Sequence, residues 1–236
     1  MAVDCKTGKV VWKTPNPEGW NMSHSSVMPM ELHGEPMYVY AAVGGLIGVS
    51  KEGRRLWSIP WSASVVAPSP VALPGNRIFI TAGYGAGSLM VQVDKTTDGY
   101  SAREIARNGP KDWLACEQQT PIVVDGLLYG IMPKDGGVLK QQFVCYDPGD
   151  GLVWSSGKTH RFGLGPFLLA DGKFFVLDDD GTLTMLKLGK DGCEQLAQHK
   201  MMEDGQDAWG PLALAGTRML LRDSTRLLCI ELGARQ

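Results

Sequence analysis

The stretch Pro166-Phe167-Leu168-Leu169-Ala170-Asp171-Gly172-Lys173-Phe174-Phe175-Val176-Leu177 decides the fold. Two short apolar runs flank Asp171-Gly172, a dipeptide whose tolerance of positive φ makes it a strong hairpin signal. Asp178-Asp179-Asp180-Gly181 reads as a second turn, leading into the strand Thr182-Leu183-Thr184-Met185-Leu186-Lys187-Leu188. After Asp191-Gly192, Glu194-Gln195-Leu196-Ala197-Gln198 supplies a fourth strand. Four antiparallel strands joined by three tight turns, between Gly165 and His199, make one blade of a β-propeller. Proline can head the first strand because its missing N–H falls before the ladder begins.

The plan repeats in both directions. Pro29, Pro70, Pro121, Pro166 and Pro211 open alternating apolar runs at spacings of 41, 51, 45 and 45 residues. Gly34, Gly75, Gly126, Gly172 and Gly216 mark the turn after each run, and Gly8, Gly53, Gly99, Gly151 and Gly192 the last turn of each unit. Beyond these lie Trp12, Trp57, Ile105, Trp154 and Leu196. A repeat of roughly 40–50 residues built from short strands is the mark of a propeller. The expectation is an all-β chain forming a single propeller domain over residues 1–236. Its blades fall at about 25–58, 66–107, 118–156, 163–200 and 209–232 plus 1–14. The final unit ends after three strands, and the chain opens on the stub of a third strand followed by Lys9-Val10-Val11-Trp12-Lys13. Pairing of the two ends would close five blades. The mid-blade start instead favours the C-terminal portion of a ring of about seven or eight blades.

Composition narrows function by exclusion. With 23 basic and 25 acidic residues the net charge is −2, and no block of like charge suits nucleic acid or an anionic membrane. No apolar run approaches the ~20 residues of a membrane span, and the N-terminal residues carry no signal-peptide core. The five cysteines, Cys5, Cys116, Cys145, Cys193 and Cys229, contain no CxxC pair, against both a zinc site and a disulfide framework. Cys145 and Cys229 fall in corresponding strands and read as small buried hydrophobes. Gly83-Tyr84-Gly85-Ala86-Gly87 is followed by a strand-like run, which excludes a phosphate loop opening a helix. His24, His33, His160 and His199 share no repeat phase and read as loop or turn residues.

Asp4-Cys5-Lys6-Thr7-Gly8-Lys9-Val10-Val11-Trp12 closely resembles the outer-strand signature of pyrroloquinoline-quinone (PQQ) repeats, roughly Asp-x-x-Thr-Gly-x-x-x-Trp. Asp147-Pro148-Gly149-Asp150-Gly151-Leu152-Val153-Trp154 is similar with one residue removed. Val49-Ser50-Lys51-Glu52-Gly53-Arg54-Arg55-Leu56-Trp57 keeps only the glycine and tryptophan. The chain thus resembles the PQQ-like repeat β-propellers, a bacterial superfamily holding BamB-like proteins and quinoprotein alcohol dehydrogenases. The resemblance implies that Gly8, Gly53 and Gly151 permit the turn and that Trp12, Trp57 and Trp154 pack between blades.

Two functional readings follow from it. One is a non-catalytic, BamB-like module that binds a protein partner, is extracytoplasmic and monomeric, and uses no cofactor and no metal. The alternative is an alcohol-oxidising quinoprotein that holds PQQ and calcium, although this chain lacks the adjacent cysteine pair such enzymes carry. For either reading the candidate residues lie on loops feeding the first strands: Trp20, His24, Ser25, Trp61, Trp113, Glu117, Gln118, His160, Asp207 and Trp209. Tryptophan suits a binding hot spot as well as a flat cofactor, and Glu117 or Asp207 would be the base in the second case.

Overall fold

The computed structural model describes residues 1–189 and 191–233. The chain divides into two compact units, 1–120 and 121–236. The first opens on a two-stranded pair, β1 (Ala2–Val3) and β2 (Val10–Trp12). A first sheet follows, β3 (Met28–Leu32), β4 (Glu35–Ala42), β5 (Gly44–Val49) and β6 (Arg55–Trp61). A second comprises β7 (Val71–Leu73), β8 (Arg77–Ala82), β9 (Gly87–Thr96) and β10 (Gly99–Asn108). The second unit holds a third sheet, β11 (Ile122–Val124), β12 (Leu127–Ile131), β13 (Phe143–Asp147) and β14 (Gly151–Ser155), and a fourth, β15 (Phe167–Ala170), β16 (Lys173–Leu177), β17 (Thr182–Gly189) and β18 (Gly192–Lys200). A three-stranded fifth completes it, β19 (Ala213–Ala215), β20 (Arg218–Arg222) and β21 (Leu227–Glu231). Every pairing is antiparallel between consecutive strands, and this is the all-β, propeller-type architecture that the repeat called for.

Local chemistry sets the turns. His33-Gly34, Asp125-Gly126 and Asp171-Gly172 all have positive φ at both residues, the backbone that two-residue hairpins require. The last turn of a unit is closed by its leading side chain. The Asp4 carboxylate accepts from the Thr7 N–H at 2.7 Å and its hydroxyl at 2.8 Å, and Asp147 accepts from Gly149 N–H at 2.7 Å. Where the repeat lacks the aspartate, the Ser50 hydroxyl accepts from the N–H groups of Glu52 and Arg54, both at 3.2 Å.

Within each unit, neighbouring sheets hide apolar side chains against one another. In the first unit Met37, Val39, Leu46, Trp57 and Ile59 of the first sheet pack with Ile78, Ile80, Leu89 and Val91 of the second. In the second unit Phe143 is the hub, with ring centroids of Phe174 at 5.0 Å, Phe167 at 5.7 Å and Trp154 at 6.1 Å. Edge-to-face rings of this kind add to the area they bury.

Three sequence readings are corrected. Ile105 and Leu196 do not occupy the tryptophan position. The pairing skips one residue just before that position in every outer strand: Val11, Leu56, Ile105, Val153 and Leu196 are bulged out. Ala106 and Ala197 are therefore the equivalents of Trp12, Trp57 and Trp154. Secondly, Cys145 is buried but Cys229 is exposed, on the outer strand of the fifth sheet. Finally, Trp61 belongs to β6, is wholly buried, and is not a loop residue.

The corrected register shows a size rule. Trp12, Trp57 and Trp154 stand opposite Ala2, Gly48 and Cys145, all small, whereas Ala106 and Ala197 stand opposite Met90 and Met185. Directly opposed residues share a face, so a large side chain meets a small one across each pair. Trp154→Ala should cost about 3–5 kcal/mol in urea unfolding, as large-to-small changes in cores do. Cys145→Met alone should also destabilise, by overpacking. The double variant should recover at least about 1 kcal/mol of the summed losses, because contacting residues couple by this order. Simple additivity would refute the rule.

Candidate binding face

In an antiparallel sheet of four strands the first begins, the second ends, the third begins and the fourth ends at the same edge. Crossover loops into first strands therefore share an end with the turns between second and third strands. All the candidate residues except Trp61 lie on these crossovers, and the backbone ties crossover to turn. In the first unit Asn21 bridges Val43 with N···O distances of 3.1 and 3.0 Å, and the His24 N–H donates to Val66 O at 2.9 Å. The Thr81 hydroxyl donates to Cys116 O at 2.9 Å.

Within that unit Trp20 lies flat on Gly44 and Gly45, where any Cβ would overlap its indole, and Asn16 brackets its backbone at 2.8 and 3.1 Å. His24 is exposed; Ser25 is half-buried, its N–H donating to the Ser23 hydroxyl at 3.1 Å. Trp113 is half-buried with its ring 5.6 Å from Phe79. Glu117 folds its side chain over Gly83, and Gln118 beside it is half-buried. The Trp61 indole N–H is buried without a partner among the described residues.

In the second unit His160 is exposed, its ring 6.5 Å from Phe162, and exposed Asp207 sits at φ 50 with its carbonyl accepting from Trp209 N–H at 2.7 Å. Trp209 is gathered by a residue that the sequence showed only as part of a turn. One Asp179 carboxylate oxygen accepts from the Leu164 N–H at 2.7 Å and from the Trp209 indole at 2.8 Å, while its carbonyl accepts from Ala208 N–H at 3.3 Å. Two crossovers are thus fastened to a single turn, and Lys134 Nζ lies 5.3 Å over the Trp209 ring. Gly163 is needed there, since a Cβ would overlap the Asp179 carboxylate.

Around that pin the charges are coupled. Burial, then the hydrogen bond with Asp180, pushes the Asp178 carboxyl up to about 7, while the bond from Asp178 holds Asp180 well below the usual range. Lys200 also pairs with Asp180, at 3.0 Å.

Sequence reading missed a second feature of the first unit. Trp12, Trp20, Tyr38, Tyr40, Ile47 and Val49 line a cleft of about 510 Å³ over the outer face of the first sheet. Glu18 on its border is engaged by Arg55, and the Tyr40 hydroxyl accepts from Ser23 N–H at 2.8 Å. Among the described residues no three His, Cys, Asp or Glu side chains gather as a metal site.

The fold and these loops define a propeller-type repeat protein. The family described as outer membrane protein assembly factor BamB matches residues 1–151, and the chain belongs to that family. Among solved structures it is similar to BamB from Moraxella catarrhalis, with a TM-score of 0.60 at 13% identity over 96% of this chain and 64% of that one. A protein of unknown function from Bacteroides caccae is similar at TM-score 0.52 and 14% identity, over 98% of this chain and 85% of that one. The computationally designed Ika8 protein is similar at TM-score 0.53 and 13% identity, over 83% of this chain and 55% of that one. The chain thus spans less than two thirds of the Moraxella protein's length. No curated protein matches it in sequence. No helix among the described residues is long and apolar enough to cross a membrane.

A pH dependence follows from Asp178. A carboxyl raised in the folded protein binds its proton more tightly there than in the unfolded chain, so stability falls as pH rises from about 4 to about 7. Asp178→Asn keeps an acceptor for Thr182 N–H but cannot ionise. Its Tm relative to the parent should therefore rise between pH 5 and pH 8 in calorimetry. A constant difference would show that Asp178 does not titrate in that window.

Proposed function

We propose that this chain is a non-catalytic, BamB-like protein-binding module that acts outside the cytoplasm and docks its partner on the loop-and-turn end of its sheets. The observation that carries the reading is apolar side chains held out on fastened backbone. Met22 is 83% exposed, yet it sits between Asn21, bridged to Val43, and His24, tied to Val66. Tyr84 is 67% exposed at φ 55, on a turn closed by Ala86 N–H to Gly83 O at 3.2 Å. In the second unit Val138 is 80% exposed on a short 3-10 turn whose carbonyl accepts from Gln142 at 2.8 Å. Exposed apolar groups on ordered loops mark interaction sites, and pre-ordering lowers the entropy lost on binding.

The family description gives the partner class to test, the proteins of bacterial outer-membrane assembly. The immobilised chain should capture the detergent-solubilised assembly complex. Met22→Ala combined with Tyr84→Ala should weaken capture at least tenfold, about 1.4 kcal/mol, with Tm unchanged. Absence of capture by the parent chain, together with a Tm rise on adding PQQ and calcium, would replace this reading with the quinoprotein.

A further inference from the structure

The turn Asp178-Asp179-Asp180-Gly181, between β16 and β17, is wedged between two crossovers. On one side a Cβ at Gly163 would strike the Asp179 carboxylate, and one at Gly165 the Leu177 carbonyl. On the other a Cβ at Gly205 would strike the Asp180 carbonyl. Gly181 lies there against Met202, and Met201 N–H donates to Gly181 O at 3.0 Å. In such close packing the turn cannot spread without pushing on residues 163–165 and 201–205. These adjoin the points that Asp179 fastens, Leu164, Ala208 and Trp209.

Within the turn the two outer carboxyls share one donor. Thr182 N–H reaches Asp178 at 2.9 Å and Asp180 at 3.0 Å, and the two side chains also hydrogen-bond each other. That last bond needs a proton on one member, because ionised carboxylates only accept. Burial first, then the bond with Asp180, keeps it on Asp178 up to about 7. The neighbouring cations are committed elsewhere. Lys200, from the end of β18, lies 3.0 Å from Asp180 Oδ2 and 2.7 Å from its carbonyl. Lys134 of the β12–β13 loop stands over Trp209, and Arg161 on the crossover into the fourth sheet donates to Lys140 O, beside exposed His160. The crossover into the fifth sheet adds only acids, exposed Glu203, Asp204 and Asp207, with Asp204 paired to Arg226 at 2.7 Å.

We propose that the proton between Asp178 and Asp180 is a latch: while it is held the turn stays closed on both crossovers, and its release drives the carboxylates apart and loosens the segments fastened through Asp179. Asp179 lies between the two in sequence, so neither can move far without displacing it. Like charges confined to one site repel, and the proton is lost as pH rises through about 7, so the latch is set below that pH and released above it. The latch is a property of the loops themselves; its effect on docking rests on the protein-binding reading above.

Hydrogen exchange read by mass spectrometry at pH 5.5 and pH 8, corrected for the intrinsic effect of pH, tests it. In the parent chain protection of residues 160–165 and 203–210 should fall at least tenfold at the higher pH, while residues 20–26 of the first unit keep theirs. The Trp209 indole N–H, assigned with Trp209→Phe, should follow in NMR spectra. Asp178→Asn retains the acceptor and cannot ionise, so both segments should stay protected at both values. Asp180→Asn, at the exposed member, should also remove the pH dependence by leaving Asp178 no charge to repel. Equal protection of the parent at the two pH values overturns the proposal, as does a tenfold loss that persists in either variant. The readout is independent of partner capture, so a failed latch leaves the protein-binding reading standing, and failed capture leaves the latch.

Discussion

A sheet with apolar residues on both faces has to be covered on both, and that constraint governs this protein. The second sheet illustrates it: Ile78 and Ile80 on one side and Phe79 on the other are all inaccessible to water. At roughly 25 cal/mol per Å² of apolar area, the covering of such faces supplies most of the drive to fold. No single sheet can collect it alone, so the units hold together as stacks in which each sheet contacts its neighbours. Strand-level details serve the stack. The bulge before each Trp or Ala position sets its register, and a large residue on one strand is met by a small one on the next. Trp57 over Gly48 and Ala106 opposite Met90 are two solutions to one packing problem.

Stacking frees the ends of the strands to carry something else. Because antiparallel order sends crossovers and second-to-third turns to one end, loops can be fastened to turns without disturbing the ladder. Asn21 to Val43 does this in the first unit, where Thr81 near the end of β8 also holds Cys116, and Asp179 does it in the second by collecting Leu164 and Trp209. The result is a surface of irregular backbone that is nonetheless ordered, where tyrosine, methionine and valine can stand in solvent. The tryptophans of these loops mostly serve the fastening: Trp20 lies on glycine and Trp209 on a carboxylate, both partly covered. The exposed apolar contacts fall to Met22, Tyr84 and Val138, residues that sequence reading did not select.

The sequence by itself determined the repeat, the strands and most of the turns. Period-2 apolar runs and Asp-Gly or Asp-x-x-Thr-Gly turns are local chemistry, complete within a few residues. The tertiary structure alone decided which residue of each outer strand faces inward. A bulge shifts register by one without changing composition, so Ile105 and Leu196 looked like tryptophan substitutes until their strand partners were known. It also decided the fate of Cys229, buried in pattern but exposed on β21. Lastly it made Asp179 a pin for two crossovers some fifteen and thirty residues away. Hydrogen bonds of that reach depend on where sheets bring loops together, which no local pattern encodes.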